Sequence, residues 1–317
     1  MANGESPKMV GEGASTEEPS GAKQPDFIAQ FRAEMVRVLP TRSLQEKAAF
    51  AALDVQEQTW RFMNWLSRLV HPHPREVHKA VGFDELPNVQ ANQRQVGKLL
   101  DSIARGDNLI GNLSKDAREQ GFCIHRANRK FGADFDLLLN EWGIHHLHID
   151  GVDDGKLLYA IFVPGFAYIL AVAPHREWTS KRLVEAAVRS WPQKGLFVTC
   201  NVLLGLGPTE QEHKALRKAG LTTLTTVSDR GWISALTVGL TTALVSVRMS
   251  YEASRVLRRV HNAAQHYNET ERQLRKNASL NRLSWPLQPD VTVCCVRGID
   301  RYCFAFIERN SGATLII

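Results

Sequence analysis

The spacing of apolar positions changes several times along the chain, and each change marks an expected element. Residues 1–25 carry Gly, Ser, Glu, Pro and Lys with almost no large apolar side chain. Such a composition buries too little surface to offset the entropy of ordering, so a disordered tail is expected there. Helical spacing begins at Asp26, with Phe27, Ile28, Phe31, Met35 and Val38 on one side and Pro40 as the stop. A longer helix is predicted over 43–69, its stripe formed by Leu44, Leu53, Trp60, Met63, Leu66 and Leu69. His71-Pro72-His73-Pro74-Arg75 then reads as an extended connector, because neither proline nor the residue before it favours helix. Short amphipathic helices are predicted over 92–105 and 131–142, the second with Asp134 as N-cap and Gly143 as its left-handed stop.

From Ile144 the period falls to two. Ile144–Ile149, Lys156–Val163 and Phe166–Ala173 read as three strands joined by short turns, the second of them at Pro164-Gly165. Short connections imply an antiparallel meander. A basic helix follows over 179–191, then a strand or buried run at 196–204, a helix over 209–219, and a β-branched run at 221–228 that fits strand or loop. Helical spacing returns over 245–283. Val291–Val296, Tyr302–Ile307 and Thr314–Ile317 read as terminal strands, expected to dock on the protein's own sheet. The fold class expected is α+β: an antiparallel meander packed by helices, with a helical N-terminal region and a C-terminal β-hairpin. The corresponding regions are 1–25, 26–105, 106–204 and 205–317.

Strand parity sorts the candidate chemistry. His146 and His148 share a face with Ile144, while His145, Leu147 and Ile149 point the other way. His148, at the end of the first strand, and His175, just past the third, lie at the same end of the meander. Two inter-strand steps put their backbones roughly 10 Å apart, close enough for the side chains to converge. Asp150, Lys156 and Arg176 belong to that end as well. Histidine gives and takes protons near neutral pH, and Arg176 suits a developing negative charge. Three readings stand together: satisfied polar residues on a sheet rim, a metal site built from His146, His148 and His175, or acid–base chemistry on a phosphodiester by His148, His175 and Arg176. No H-E-x-x-H spacing accompanies the histidines.

The segment Leu157-Leu158-Tyr159-Ala160-Ile161, followed by Ala173-Pro174-His175-Arg176, resembles the RelE/ParE superfamily of small toxins over residues 133–191. The resemblance implies helices preceding an antiparallel sheet and an RNA-cleaving or nucleic-acid-associated activity, with His175 and Arg176 as the matching residues.

Charge adds to this picture. The net charge is +6 in 317 residues and the pI about 9.1, a mild bias toward a polyanionic partner. Candidate nucleic-acid contacts are Arg126, Arg129 and Lys130 beside His125, Lys181 and Arg182 on the basic helix, and Arg255, Arg258 and Arg259 on the long helix. Glu308 and Arg309, at the tip of the terminal strands, are further candidates to complete a site. Five cysteines without a C-x-x-C pair, and an N-terminus without an apolar signal core, fit a reducing, cytoplasmic setting. The uncharged run Gly231–Val247 is 17 residues long but holds two glycines and five Ser or Thr, so a buried segment is expected and no membrane partner. The activity expected is RNase-like or nucleic-acid-binding, metal-independent and without a cofactor, with RNA or another nucleic acid as partner. The alternatives are a non-enzymatic protein with a protein partner and a metal-dependent hydrolase.

Overall fold

The computed structural model describes residues 24–124, 135–151, 155–175, 180–200, 208–219, 225–227, 231–235, 245–298 and 301–317, with single positions at 221, 239 and 241. Its architecture is α+β, with the strands among the described residues in three separate sheets.

The first helix, α1 (Phe27–Val38), starts where Asp26 accepts the Ala29 N–H at 2.9 Å, and it buries Phe27, Phe31 and Met35. The single helix predicted over 43–69 is two helices, α2 (Leu44–Ala52) and α3 (Val55–Arg68). Apolar spacing runs through the break, but capping decides it. Asp54 takes extended backbone and accepts the Glu57 N–H at 2.9 Å. Arg32 of α1 then fills the junction, donating to the freed carbonyls of Ala51 (2.9 Å) and Leu53 (2.8 Å).

The central sheet has the order β1-β4-β3-β2, formed by β1 (Glu76–Lys79), β2 (His145–His148), β3 (Lys156–Val163) and β4 (Phe166–Pro174). The meander β2-β3-β4 is antiparallel as expected. The fourth strand was not expected. Glu-Val-His-Lys is too short and polar to signal a strand, yet it pairs in parallel with β4 and makes the sheet mixed. Pro164-Gly165 turns β3 into β4 with Gly165 at φ 75°, the left-handed position this turn needs.

Both faces of the sheet are covered. On one, Leu147, Leu158, Ala160 and Ile169 pack against Val89 of α4 (Pro87–Gln90) and against Val96, Leu99 and Ile103 of α5 (Gln93–Arg105). Ala117 of α6 (Lys115–Glu119) joins the same core. On the other, Ile144, Leu157, Tyr159 and Leu170 meet α7 (Leu137–Trp142) and α8 (Lys181–Ser190). The N-cap of α7 is Asp136, which accepts the Leu139 N–H at 3.0 Å. Asp134, the cap expected from sequence, lies outside the described residues, and Gly143 ends the helix in the left-handed region as expected.

A second core joins the chain's two ends. Phe27, Phe31 and Phe62 pack with Val256 and Val260 of α10 (Val247–Gln265) and with Phe304 and Phe306. The terminal strands β8 (Val291–Arg297), β9 (Tyr302–Glu308) and β10 (Thr314–Ile316) form their own antiparallel sheet rather than extending the central one. Side chains of α1 satisfy its edge: Gln30 accepts from Val293 N–H (3.1 Å) and Glu34 from Cys295 N–H (2.8 Å). Those bonds and the aromatic contacts seat this sheet on helices. The long helix predicted over 245–283 is also broken, at His266, into α10 and α11 (Tyr267–Leu280).

The remaining elements are β5 (Phe197–Cys200), α9 (Glu210–Lys218), β6 (Thr225–Val227) and β7 (Gly231–Ala235), with the strands in the order β5-β7-β6. The uncharged run therefore begins as a strand, and among the described residues no helix is long and apolar enough to cross a membrane.

Candidate functional site

The β2–β3 register fixes where each histidine stands. His146 pairs with Tyr159 and His148 with Leu157, so both rise from the face that α7 and α8 cover, while His145, opposite Ala160, belongs to the other face. Lys156 pairs with Pro174, which puts His175 one step past the end of β4 at the same end of the sheet. The buried Tyr159 donates its hydroxyl to the Pro174 carbonyl at 3.0 Å and pins the backbone just before His175.

The three rings converge. His148 and His175 have centroids 5.1 Å apart, and His146 and His175 6.3 Å apart. His146 Nδ1 also faces Asp136 Oδ2 at 3.5 Å, with both side chains less than a fifth exposed. Asp136 thus does two jobs: one carboxylate oxygen caps α7, and the other faces the imidazole. Burial separates the rings. His148 is 1% exposed and lies inside, whereas His175 and His146 keep part of their surface in solvent.

Behind this cluster is a buried ionic group that sequence reading missed. Glu141 of α7 faces His213 of α9 at 3.1 Å and accepts a hydrogen bond from Arg217 Nε. Arg217 lies with its Cζ 4.4 Å from the centroid of the Trp142 ring. Burial lowers the Arg217 pKa, while Glu141, and more weakly Asp136, oppose that shift. Arg217 therefore links this group electrostatically to the carboxylate beside His146. The only sequence signal was His213 and Arg217 four apart on one helix face.

Other expected residues are distributed as follows. Lys181 and Arg182 form the first turn of α8, shortly after His175 in the chain, and that turn holds no acidic residue. Its N-cap, Ser180, makes no side-chain capping bond, and Glu210 of α9 accepts the Lys181 N–H at 3.2 Å. A carboxylate thus already occupies a position where helix N-termini attract anions. Arg126, Arg129, Lys130 and Arg176 lie outside the described residues. Arg255, Arg258 and Arg259 ride on α10, whose buried face belongs to the core of the chain ends, and Arg255 pairs with Glu252 at 2.8 Å. No interaction between described residues joins these three to the histidines. Lys156 turns away from the cluster and donates to Asn88 at 2.9 Å. Asp150 is exposed.

Glu308 is committed to the turn that follows β9. It is fully buried and accepts from Asp290 N–H, from both the N–H and side chain of Asn310, and from both the N–H and hydroxyl of Ser311. Burial pushes its pKa up, but these bonds outweigh that and hold it lowered, so it organises the turn. Among the described residues, no group of three or more His, Cys, Asp or Glu is arranged to hold a metal ion, and this applies to His146, His148 and His175.

Compared with known proteins, the chain matches no family model, and no curated protein or solved structure is significantly similar to it.

Proposed function

We propose that the protein is a metal-independent phosphodiesterase acting on RNA, with His146 and His175 as the proton-transfer pair. The observation that carries this reading is the convergence of three imidazoles and a carboxylate at one end of the sheet. Cleavage through the 2′-hydroxyl of RNA needs one group to take the hydroxyl proton and another to protonate the leaving oxygen. Two partly exposed rings 6.3 Å apart offer those groups on one surface. Asp136, facing Nδ1 of His146 at 3.5 Å, favours the positive charge that ring carries once it has taken a proton. His148, buried against His175, is a positioning residue. Lys181 and Arg182 supply positive charge close by in the chain. Arg176, one residue past His175, is the group assigned to the phosphate's developing charge, and the resemblance to the RelE/ParE superfamily points to the same residues.

The test is to incubate the purified protein with end-labelled RNA, with and without EDTA. Cleavage that persists in EDTA and disappears in His175→Ala supports the proposal. Cleavage abolished by EDTA assigns the site to a metal. Salt-sensitive binding without cleavage leaves a binding protein, and neither binding nor cleavage removes RNA as the partner.

A further inference from the structure

The other face of the central sheet, at its opposite end, carries a cation with no counter-charge among the described residues. Arg75 closes the extended segment that joins α3 to β1. Its backbone N–H reaches Ala104 O at 3.3 Å, at the end of α5. Gly106, at φ +76°, lets the segment come this close, since a Cβ there would stand 2.3 Å from Pro74 N. The Arg75 side chain is 8% exposed. It donates from Nη1 to the His73 carbonyl at 2.9 Å and lays Cζ 5.3 Å from the centroid of the Phe162 ring. Its Nε is buried without a hydrogen-bond partner, and no described carboxylate pairs with it.

His145 packs edge-on against the same Phe162 ring, with centroids 5.2 Å apart. It commits Nε2 to the Ser67 carbonyl at 3.1 Å, and its buried Nδ1 has no partner. An arginine keeps its charge at any pH the fold survives. A carbonyl and an aromatic face offset its burial only in part, because a buried charge calls for an opposite one. A negatively charged acceptor at Arg75 Nε would supply that opposite charge, and His145 is the ionisable ring that shares Phe162 with it.

We propose that Arg75 and His145 form a binding site for an oxyanion, a phosphate or carboxylate group, on the face of the sheet opposite the three-histidine cluster. The guanidinium offers Nε and the uncommitted Nη2 as a fork suited to two oxygens. His145 completes the site by gaining a proton at Nδ1 as the anion enters. Burial lowers its pKa to about 4; the Ser67 carbonyl and Asp136 pull upward, and His146 and Arg75 push down. An anion beside the ring reverses that balance, so binding takes up a proton and tightens as pH falls. This site stands independently of the RNA-cleavage reading.

Thermal unfolding of the full chain tests it, with sulfate, acetate or, at matched ionic strength, chloride, at pH 7.5 and 5.5. Sulfate keeps one charge state across this range and stands for a phosphate group; acetate stands for a carboxylate. The expected result is a melting temperature several degrees higher in one of them than in chloride, with the larger gain at pH 5.5. Whichever anion acts identifies the group. Arg75→Met should lose the anion-specific gain while melting no lower than wild type in chloride, because the buried charge is gone. His145→Gln should keep the gain and lose its pH dependence. If Arg75→Met is too unstable to compare, Arg75→Lys keeps the charge without the fork, and loss of the gain there supports the site equally. An equal gain in Arg75→Lys, or no gain over chloride with either anion, would overturn the proposal.

Discussion

His145 and His146 are neighbours in β2 that face opposite sides of the sheet, and their surroundings give them opposite chemistry. His146 faces a carboxylate and keeps part of its surface in solvent. His145 is half-buried with its Nδ1 inaccessible, and burial holds its pKa down to about 4. An unfolded histidine titrates near 6.5, so between these values the unfolded chain binds more protons than the folded one. The contribution of neutral His145 is therefore complete above pH 6.5 and is lost as pH falls toward 4, at a slope of at most about 1.4 kcal/mol per pH unit. Urea unfolding at pH 7 and pH 5 should show this loss, and His145→Gln, which keeps a donor for Ser67 O, should reduce it. Equal losses in the two proteins would mean that another group carries the dependence. The opposition of these two residues was legible from sequence, because a period of two leaves no freedom once the strand is recognised. The differing burial of His146 and His148, on the same face, was not, since it depends on helices packed from elsewhere in the chain.

At the scale of elements, α9 is held to α7 by ions more than by apolar contact. Glu141, His213 and Arg217 are each nearly inaccessible to solvent, and each needs the others. Replacing Arg217 with Met leaves Glu141 buried without its strongest partner and should cost about 3–5 kcal/mol. The double replacement Glu141→Gln with Arg217→Met removes both charges and should recover much of that loss. A double-mutant cycle in denaturant measures the coupling; additive losses would show that the pair is not energetically linked. Sequence spacing could not pair these residues, which are 76 positions apart. It read α1 and the meander correctly because their periods are strong and their stops are Pro40, Gly143 and Pro174. It merged α2 with α3 and α10 with α11 because the apolar stripes continue through both breaks. In the first, Asp54 followed three residues later by Glu57 was the available signal. It missed β1 because that strand's pairing comes from β4, not from its own composition.

Over the whole molecule, the chain ends share one core and the middle of the chain builds another around the central sheet. Phe31 of α1 and Phe304 of β9 meet with ring centroids 4.7 Å apart, and Phe62 of α3 lies 5.4 Å from Phe304. Phe304→Ala should therefore cost about 3–5 kcal/mol. Hydrogen exchange should report the damage in α1 as well as in β9; protection lost from β9 alone would show that the two ends fold independently. The histidine cluster belongs to the other core, and the exposed face of α10 with Arg258 and Arg259 is carried by the first. Under the proposed function, catalysis belongs to the sheet and only general electrostatic attraction to the helix. The most direct test of that claim compares initial rates of RNA cleavage in EDTA for wild type, His146→Ala, His175→Ala and Arg258→Ala/Arg259→Ala. The prediction is a fall of about 100-fold or more for each histidine variant, with the arginine pair changing mainly the salt dependence. Histidine variants that cleave as fast as wild type would contradict it.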